Sequence, residues 1–397
     1  MNESKSVLRT CALFLSMVAA SACQRGPNTR TVQASEACRP LVTGRWIMTG
    51  ALENPRIQPS GVVLEDGRVL VSGGREPMGA PRLASAEVYD PVANGWTSVA
   101  PMSVQRLGHS LVRLPDGSVL AVGGGIPAVE RFDPRTGAWS AVPAPADAAR
   151  VGAGVFVLSN GRVAIVGGEQ IVPTASGEPF YRSVSNILYL DPSTGATEPG
   201  PTMDKARSGA SFVALGDGTI IAIGGTYTEP PLIRWELFGD RPGPRTRNTE
   251  GMDILQPAAT SWRRGPWPRT WAGTGTQAVA LSTHEVFILA GAGDALNSRK
   301  AAVFDTRAMR WRETVPMQTA RLGALAVPWS EGCVLVLGGA GPRDPAEVYA
   351  VREDGWIAAP PPPHAAATVF IRMLDGSILA LGDHAHPREG SRYLPAL

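Results

Sequence analysis

The sequence predicts an all-β protein built from seven similar units, on the basis of three repeated features. The first is a hairpin that recurs seven times, for example SGVVLEDGRVLVSGG at 60–74 and HSLVRLPDGSVLAVGGG at 109–125. The second is a glycine at the end of the turn in six of the hairpins, and several of these follow Asp or Asn in pairs that supply the positive φ angles of a tight turn. These glycines are Gly67, Gly117, Gly161, Gly218, Gly332 and Gly376. The third is that both strands of each hairpin are almost continuously apolar, whereas a strand with one face in water would alternate.

Continuously apolar strands must be covered on both faces, which favours the packing of a β-propeller. In that architecture each four-stranded blade lies between two neighbours. A third strand follows most of the hairpins with an aromatic residue or leucine, and a tryptophan seven residues further on opens a fourth strand. The pairs are Tyr89 and Trp96, Phe132 and Trp139, Leu255 and Trp262, Phe304 and Trp311, and Tyr349 and Trp356. In the third unit Tyr189 leads to Ala196, so we expect that unit to lack the tryptophan.

This ordered set of apolar strand, Gly-Gly, aromatic residue and tryptophan, with an arginine before the next unit, resembles the kelch repeat. The resemblance covers residues 43–397 and implies a seven-bladed kelch-type β-propeller, the number seven coming from the hairpins. The seventh unit ends with SRYLPAL, a third strand, while TGRWIMTGALENPR at 43–56 has a tryptophan but no hairpin before it. We therefore expect the N-terminal strand to complete the last blade and close the ring, which hides the edge strands.

Residues 1–22 are typical of an export signal and are set aside from fold prediction. Lys5 and Arg9 precede the apolar segment CALFLSMVAA, and small residues then lead to Cys23. The ending AASAC resembles the lipobox of bacterial lipoproteins, although Ala20 stands where that family usually has leucine. The resemblance implies cleavage before Cys23 and lipidation of that residue. Ordinary secretion is the alternative.

The segment after this signal, residues 23–42, is polar and is predicted to be a tether. Gln24, where aspartate would retain a lipoprotein at the inner membrane, implies the outer membrane of a bacterial envelope. No other segment has 18 consecutive apolar residues, so we expect the membrane to be reached only through the lipid anchor.

Composition and motifs argue for a binding module. The formal net charge of +2 gives no support to a nucleic-acid partner, which normally requires a strongly basic face. The sequence has no G-x-S-x-G or H-E-x-x-H motif, and its strand-to-glycine segments lack the helix and lysine of a phosphate loop. We expect a monomer without a cofactor that binds a protein or carbohydrate of the envelope. The alternative is a carbohydrate-active enzyme, epimerase-like, mutarotase-like or oxidase-like, on the same kind of propeller.

The regular arginines are the most constant feature of the units. They stand 17 residues before the first glycine of each pair, at Arg56, Arg106, Arg150, Arg207 and Arg321, and His364 takes that place before Leu381. A structural interpretation has each arginine binding loop carbonyls and a carboxylate of a neighbouring unit. The functional alternative is a ring of guanidinium groups for an anionic ligand, with Arg106, Arg150, Arg207 and Arg321 as ligand-binding candidates.

Length varies in the loop between the second and third strands, which marks one face of the disc as the candidate binding face. The longest insertion, 226–250, offers Tyr227, Arg234, Trp235 and Glu236. The segment RRGPWPRTW at 263–271 adds Trp267, Arg269 and Trp271. Aromatic rings stack on sugars or peptide side chains, and arginine forks bind carboxylates or hydroxyls. The alternative is that these aromatic residues pack the long loop against the frame.

Histidine and cysteine leave two smaller questions open. Asp383, His384 and His386 form a partial His-x-His metal motif, but histidines near a chain end are mostly solvated, so we predict no metal. Cys38 and Cys333 are candidates for a disulfide in an oxidising compartment, with two free thiols as the alternative.

Overall fold

The computed structural model describes residues 33–77, 81–124, 126, 128–172, 180–228, 246–267, 276–289, 299–321, 323–330, 332–339, 345–364 and 367–396. A short helix, α1 (Arg39–Thr43), and strand β1 (Arg45–Met48) open this part of the chain. None of its helices has the length and hydrophobicity needed to cross a membrane.

The next strands form the first two sheets and a side strand. Sheet 1 consists of β2 (Ser60–Val63), β3 (Val69–Ser72), β4 (Ala86–Asp90) and β5 (Gly95–Val99). Sheet 2 consists of β6 (His109–Arg113), β7 (Val119–Gly123), β8 (Val129–Asp133) and β9 (Ala138–Val142). A 3₁₀ turn (Ala146–Ala148) and β10 (Arg150–Val151) follow.

Sheets 3 and 4 each contain an extra hairpin between their second and third strands. The chain runs through β11 (Gly154–Val157), β12 (Val163–Val166), the hairpin of β13 (Glu169–Val172) and β14 (Phe180–Ser183), then β15 (Asn186–Leu190) and β16 (Thr197–Thr202). It continues through β17 (Ser211–Ala214), β18 (Ile220–Ile223), the hairpin of β19 (Thr226–Thr228) and β20 (Thr246–Asn248), then β21 (Met252–Leu255) and β22 (Arg263–Arg264).

The last three sheets complete the strand order. Sheet 5 has β23 (Gln277–Ala280), β24 (Glu285–Leu289), β25 (Ala301–Asp305) and β26 (Arg310–Glu313). Sheet 6 has β27 (Leu325–Ser330), β28 (Cys333–Leu337), β29 (Ala346–Ala350) and β30 (Gly355–Ala359). Sheet 7 has β31 (Val369–Arg372), β32 (Ile378–Leu381) and β33 (Ser391–Leu394), with β1 as its fourth strand.

Among the described residues these strands form seven four-stranded antiparallel sheets, so the all-β prediction is confirmed. The first strands of successive sheets lie against one another, from β2 and β6 onward, and β31 lies against β2. A separate hydrophobic cluster fills the gap between each pair of neighbouring sheets, including sheets 7 and 1. This packing explains the continuously apolar strands, because both faces of every sheet are covered.

The tryptophans at the start of the fourth strands link each sheet to the one before it. Trp139 donates its indole N–H to Ala100 O at 2.9 Å, and Trp356 donates to Val315 O at 2.7 Å. Trp96, Trp139, Trp311 and Trp356 also pack on the third-strand aromatic residue of their own sheet, as Trp356 does on Tyr349 at a centroid distance of 5.0 Å. The repeated tryptophan therefore satisfies a backbone carbonyl while it fills the gap between sheets.

In sheet 3 the predicted alignment is wrong by one residue. Val163 pairs with Leu190, just as Val69 pairs with Tyr89 in sheet 1, so Leu190 and not Tyr189 takes the third-strand position. Leu190 pairs in turn with Thr197, which stands where other sheets have tryptophan. Because successive residues of a strand point to opposite faces, Tyr189 lies on the side of the sheet that faces sheet 4.

The N-terminal segment is fastened to sheets 6 and 7. Strand β1 pairs antiparallel with β33, with Trp46 opposite Tyr393. The Tyr393 hydroxyl donates to Leu41 O of α1 at 2.7 Å, and burial raises the pKa of this phenol to about 12. A disulfide joins Cys38 to Cys333 at the start of β28, with the two Cα atoms 5.7 Å apart.

Two faces of the structure are used below. The glycine face is the end at which the second strands finish, at Gly73, Gly123, Gly167, Gly224 and Gly338. The turn face is the opposite end, which carries the first hairpin turns and the turns between third and fourth strands. Gly123 has φ +82°, and a Cβ there would collide with the backbone oxygen of Arg150 in the next sheet. The glycine pairs thus allow neighbouring sheets to approach closely.

Candidate functional site

The regular arginines lie beneath the glycine face and are buried, with exposures of 0–3%. Arg106 is representative: Nη1 donates to Gly123 O at 2.7 Å and Nη2 donates to Glu130 Oε2 at 2.8 Å. The other carboxylate oxygen of Glu130 accepts from the Ser103 amide at 2.6 Å. The same arrangement joins Arg56 to Glu87, Arg207 to Asp253 and Arg321 to Glu347.

Burial sets the electrostatics of these groups. Desolvation lowers the pKa of Arg106, and the Glu130 carboxylate partly offsets that effect. Sheet 3 has an amide in place of the carboxylate: Arg150 donates to Asn186 Oδ1 at 3.1 Å, and burial lowers its pKa to about 10. His109, beside Arg106, is hydrogen-bonded through Nε2 to Ser72 Oγ at 3.0 Å. Burial, with Arg106 and Arg56 nearby, lowers the pKa of His109 to about 3.

The functional alternative for these arginines is therefore corrected. Arg106, Arg150, Arg207 and Arg321 use their donors on backbone carbonyls and on a carboxylate or amide within the fold, which places them in the frame of the protein. The structural interpretation is also corrected in one detail. Each carboxylate belongs to the third strand of the same sheet, as Glu130 of β8 does for Arg106, and not to a neighbouring unit.

The two extra hairpins of sheets 3 and 4 lie next to each other at the glycine face, where β14 contacts β19. The Thr228 amide donates to Ser183 Oγ at 3.1 Å, which ties the second hairpin to the first. Tyr227 lies in β19 with the Lys205 Nζ atom 5.8 Å from its ring centroid. On β14, Tyr181 and Arg182 are exposed, with 37% of Tyr181 accessible. The adjacent sheets thus present a raised surface of paired strands on the face that the sequence marks as variable.

The remaining predicted ligand residues have different positions. Trp267 packs edge-on against Trp311 at a centroid distance of 5.7 Å, in the cluster between sheets 4 and 5. This contact supports the packing alternative for that ring. Arg234, Trp235, Glu236, Arg269 and Trp271 lie outside the described residues, as does Cys23.

A groove between sheets 3 and 4, close to the turn face, was not predicted from the sequence. It has a volume of about 910 Å³ and is open to solvent, and Leu158, Tyr189 and Leu215 contribute to its wall. Arg162 lies over the Tyr189 ring at 5.4 Å and donates to Glu198 at 2.8 Å. The signal was present as NILYLDP, in which the leucine before Asp-Pro packs between sheets 2 and 3 and the tyrosine therefore faces sheet 4.

Only one of the two histidines of the predicted His-x-His motif, His386, belongs to a group of possible metal ligands among the described residues. His386 and Asp383 lie together with His364, and potential ligand atoms of these three residues are all within 4.8 Å of one another. His384 is exposed and is not part of this group. His364 was not predicted as a member of this group because it stands before the last hairpin, whose antiparallel strands bring its two ends together.

Comparison with known proteins agrees with the repeat assignment. Residues 59–103 match the Kelch motif. This match shows that the chain carries a Kelch motif in its first sheet. The chain is 27% identical over 297 residues to Kelch-like protein 36 of Mus musculus, which covers 71% of this chain and 44% of the relative. Alpha-scruin of Limulus polyphemus is 26% identical over 231 residues, covering 55% of this chain and 24% of the relative. The chain spans at most about half the length of the curated relatives it matches.

Solved structures support the propeller fold. The structure titled "Structure of YjhT" superposes with a TM-score of 0.54 and 15% identity, covering 78% of this chain and 99% of that one. A fungal alcohol oxidase in complex with copper superposes with a TM-score of 0.63 and 14% identity, covering 89% of this chain and 76% of that one. At these identities the similarity establishes the fold alone.

Proposed function

We propose that this protein is a lipoprotein of the bacterial envelope, held in the outer membrane through Cys23, and that it binds a protein or carbohydrate partner on the glycine face. The observation that carries the proposal is the pair of adjoining hairpins at β13–β14 and β19–β20. They add a raised surface to sheets whose buried ion pairs, tryptophans and apolar clusters form a rigid frame. Variable loops on a rigid frame are where binding sites usually lie.

The exposed side chains of this surface favour a protein partner. Tyr181 and Arg182 lie on β14, and Arg247 lies exposed on β20. Tyrosine and arginine are enriched among the residues that contribute most to protein interfaces. The two guanidinium groups suit an acidic partner surface, because arginine binds carboxylates in a planar, two-pronged geometry.

A carbohydrate-active enzyme is the second candidate, and it rests on the resemblance in fold to the fungal alcohol oxidase. The buried arginine–carboxylate pairs beneath the glycine face are paired within their sheets and so do not offer free groups for catalysis. An enzyme of this type is expected to release product from a candidate sugar under steady-state conditions. A binding module forms a complex without turnover.

The test is a binding screen with envelope proteins and with glycan and peptidoglycan fragments, scored for both affinity and turnover. Tyr181→Ala is the test variant, and Val92→Ala is the matched control because Val92 is a 95% exposed apolar residue on the turn face. We expect a partner whose affinity falls at least about tenfold in Tyr181→Ala and is unchanged in Val92→Ala. Equal affinity in both variants would place binding elsewhere, and turnover would favour the enzyme.

The lipid anchor has its own test. Cys23→Ala is expected to abolish incorporation of radiolabelled palmitate and to release the protein from the membrane fraction. Cells that make Cys38→Ser provide the control, since that residue is joined to Cys333 and carries no lipid. Label that persists in Cys23→Ala would contradict the anchor without affecting the proposal about the glycine face.

A further inference from the structure

Sheet 7 departs from the other sheets at the position where four of them carry a buried arginine–carboxylate pair. In those sheets the carboxylate of the third strand pairs with the second-strand residue that stands two positions before the first glycine of the Gly-Gly pair. Examples are Glu87 with Val71 and Glu130 with Ala121. In sheet 7 the same register pairs Ala380 with Ser391. The glycine carbonyl, which accepts from arginine elsewhere, here accepts from Thr368 Oγ1 at 3.2 Å on Gly382. His364 was predicted to replace the arginine by its spacing to Leu381, but it stands 18 residues before Gly382 and does not make this contact.

Histidines and carboxylates occupy the glycine face of sheet 7 instead. The rings of His364 and His386 pack together at a centroid distance of 4.5 Å and an angle of 35°. Asp383 is 4% exposed, and its Oδ1 lies 3.7 Å from His386 Nδ1. Glu389 brings Oε2 to 3.0 Å from His364 Nε2. Among the described residues this buried Nε2 atom forms no hydrogen bond of acceptable geometry, and its close contact is with the Glu389 carboxylate.

The backbone around these residues is held in place from two sides. Asp383 Oδ1 accepts from the Ala385 amide at 2.7 Å, which fixes the turn that carries His386. The following segment is bound by the chain before sheet 1, where the Arg56 amide donates to Pro387 O at 2.9 Å and the Leu52 amide donates to Arg388 O at 2.9 Å. The group is therefore positioned before any ligand arrives, which reduces the entropy lost on binding.

We propose that His364, Asp383 and His386, completed by Glu389, form a binding site for a divalent transition-metal ion, with Zn²⁺ as the preferred occupant. Imidazole and carboxylate ligands suit zinc, which binds nitrogen and oxygen at roughly 2.0–2.2 Å in tetrahedral geometry. Tetrahedral ligands at that bond length are roughly 3.3 Å apart. Ligand atoms of His364, Asp383 and His386 lie within 4.8 Å of one another and need only small side-chain movements to reach it. Glu389 Oε2 lies 3.0 Å from His364 Nε2 and would have to turn towards the other two ligands.

Charge balance supports the same occupant. Two neutral imidazoles and two carboxylates carry two negative charges in total, which equals the charge of the ion. Calcium and magnesium are disfavoured because they prefer sites built from oxygen alone. The ion would join the last hairpin, through His364, to the loop that contacts the segment before sheet 1.

The experiment measures zinc binding to the tag-free full chain after removal of metal, by competition with a chromophoric chelator. The test variants are His386→Ala, an exposed residue whose loss leaves the core intact, and Asp383→Asn. The matched control is His384→Ala, which removes an imidazole two residues away that lies outside the group. Circular dichroism confirms that each variant is folded, and Co²⁺ absorption in the visible range reports tetrahedral nitrogen and oxygen ligation.

We expect the wild-type chain and His384→Ala to bind one equivalent, and both test variants to bind at least about tenfold more weakly with loss of the tetrahedral cobalt bands. The proposal is overturned if the wild-type chain takes up no stoichiometric zinc. It is equally overturned if folded His386→Ala binds as well as the wild type, or if His384→Ala loses as much affinity as His386→Ala.

Discussion

Replacing Glu130 by glutamine tests the interpretation of the regular arginines. The carboxylate accepts from Arg106 Nη2 at 2.8 Å, from Arg106 Nε at 3.3 Å and from the Ser103 amide at 2.6 Å. Glu130→Gln keeps the shape and an acceptor oxygen but removes the charge, which leaves the buried guanidinium without a counter-ion. Breaking a buried pair in this way costs about 3–5 kcal/mol, because the remaining charge is uncompensated.

The free energy of unfolding is measured by urea denaturation, since urea does not screen charge. Glu198→Gln is the matched control, because Glu198 pairs with Arg162 at 2.8 Å but its side chain is 70% exposed. Exposed pairs contribute about 0–1 kcal/mol. The double variant Arg106→Met with Glu130→Leu is expected to cost less than Glu130→Gln, since it leaves no unpaired charge. A cost for Glu130→Gln as small as that for Glu198→Gln would refute the structural role.

Three further predictions concern the frame. The intact mass measured without reductant is expected to be lower than the reduced mass by the two thiol hydrogens of Cys38 and Cys333, and equal masses would show two free thiols. Because this disulfide closes a loop of 295 residues, its reduction is expected to lower the free energy of unfolding by more than about 4 kcal/mol. His109, whose pKa is lowered to about 3, stays neutral in the folded state while the unfolded state takes up a proton. Stability should therefore fall as the pH drops from about 6.5 towards 3, by up to about 1.4 kcal/mol per unit, and His109→Gln should flatten this slope in urea titrations. Deleting 43–56 removes β1 and exposes the edge of β33, so loss of cooperative unfolding is expected; a folded, monomeric deletion variant would contradict the role of this strand.

The fold was predictable because its signals repeat. In each sheet the apolar hairpin residues fill the gaps to the neighbouring sheets. The tryptophan seven residues after Tyr89 or Tyr349 packs on that tyrosine. In sheet 3, the alignment obtained by counting residues along the chain is wrong. Leu190, and not Tyr189, takes the third-strand position opposite Val163, and Tyr189 lies on the opposite side of the sheet. Only the strand register reveals that shift, because a slip of one residue exchanges the two faces of a strand.

The functional residues were harder to predict because their roles depend on burial and on contacts between distant segments. Regular spacing identified the arginines but left open whether Arg106 faces a ligand or Glu130, which depends on the solvent exposure of the guanidinium group. His364 and His386 are 22 residues apart, and they meet because the hairpin of β31 and β32 returns the chain to its starting point. His384, two residues before His386 in the motif, is exposed and lies outside the group.

The central claim, that the glycine face binds the partner, is tested most directly by site-specific photo-crosslinking in intact cells. A photoreactive amino acid is placed at Tyr181 on β14 or at Val92 on the turn face, both of which are exposed in the structure. The account predicts a discrete crosslinked complex from position 181, lost when an excess of the purified chain competes, and none from position 92. Crosslinks from position 92 alone, or equally from both positions, would contradict it.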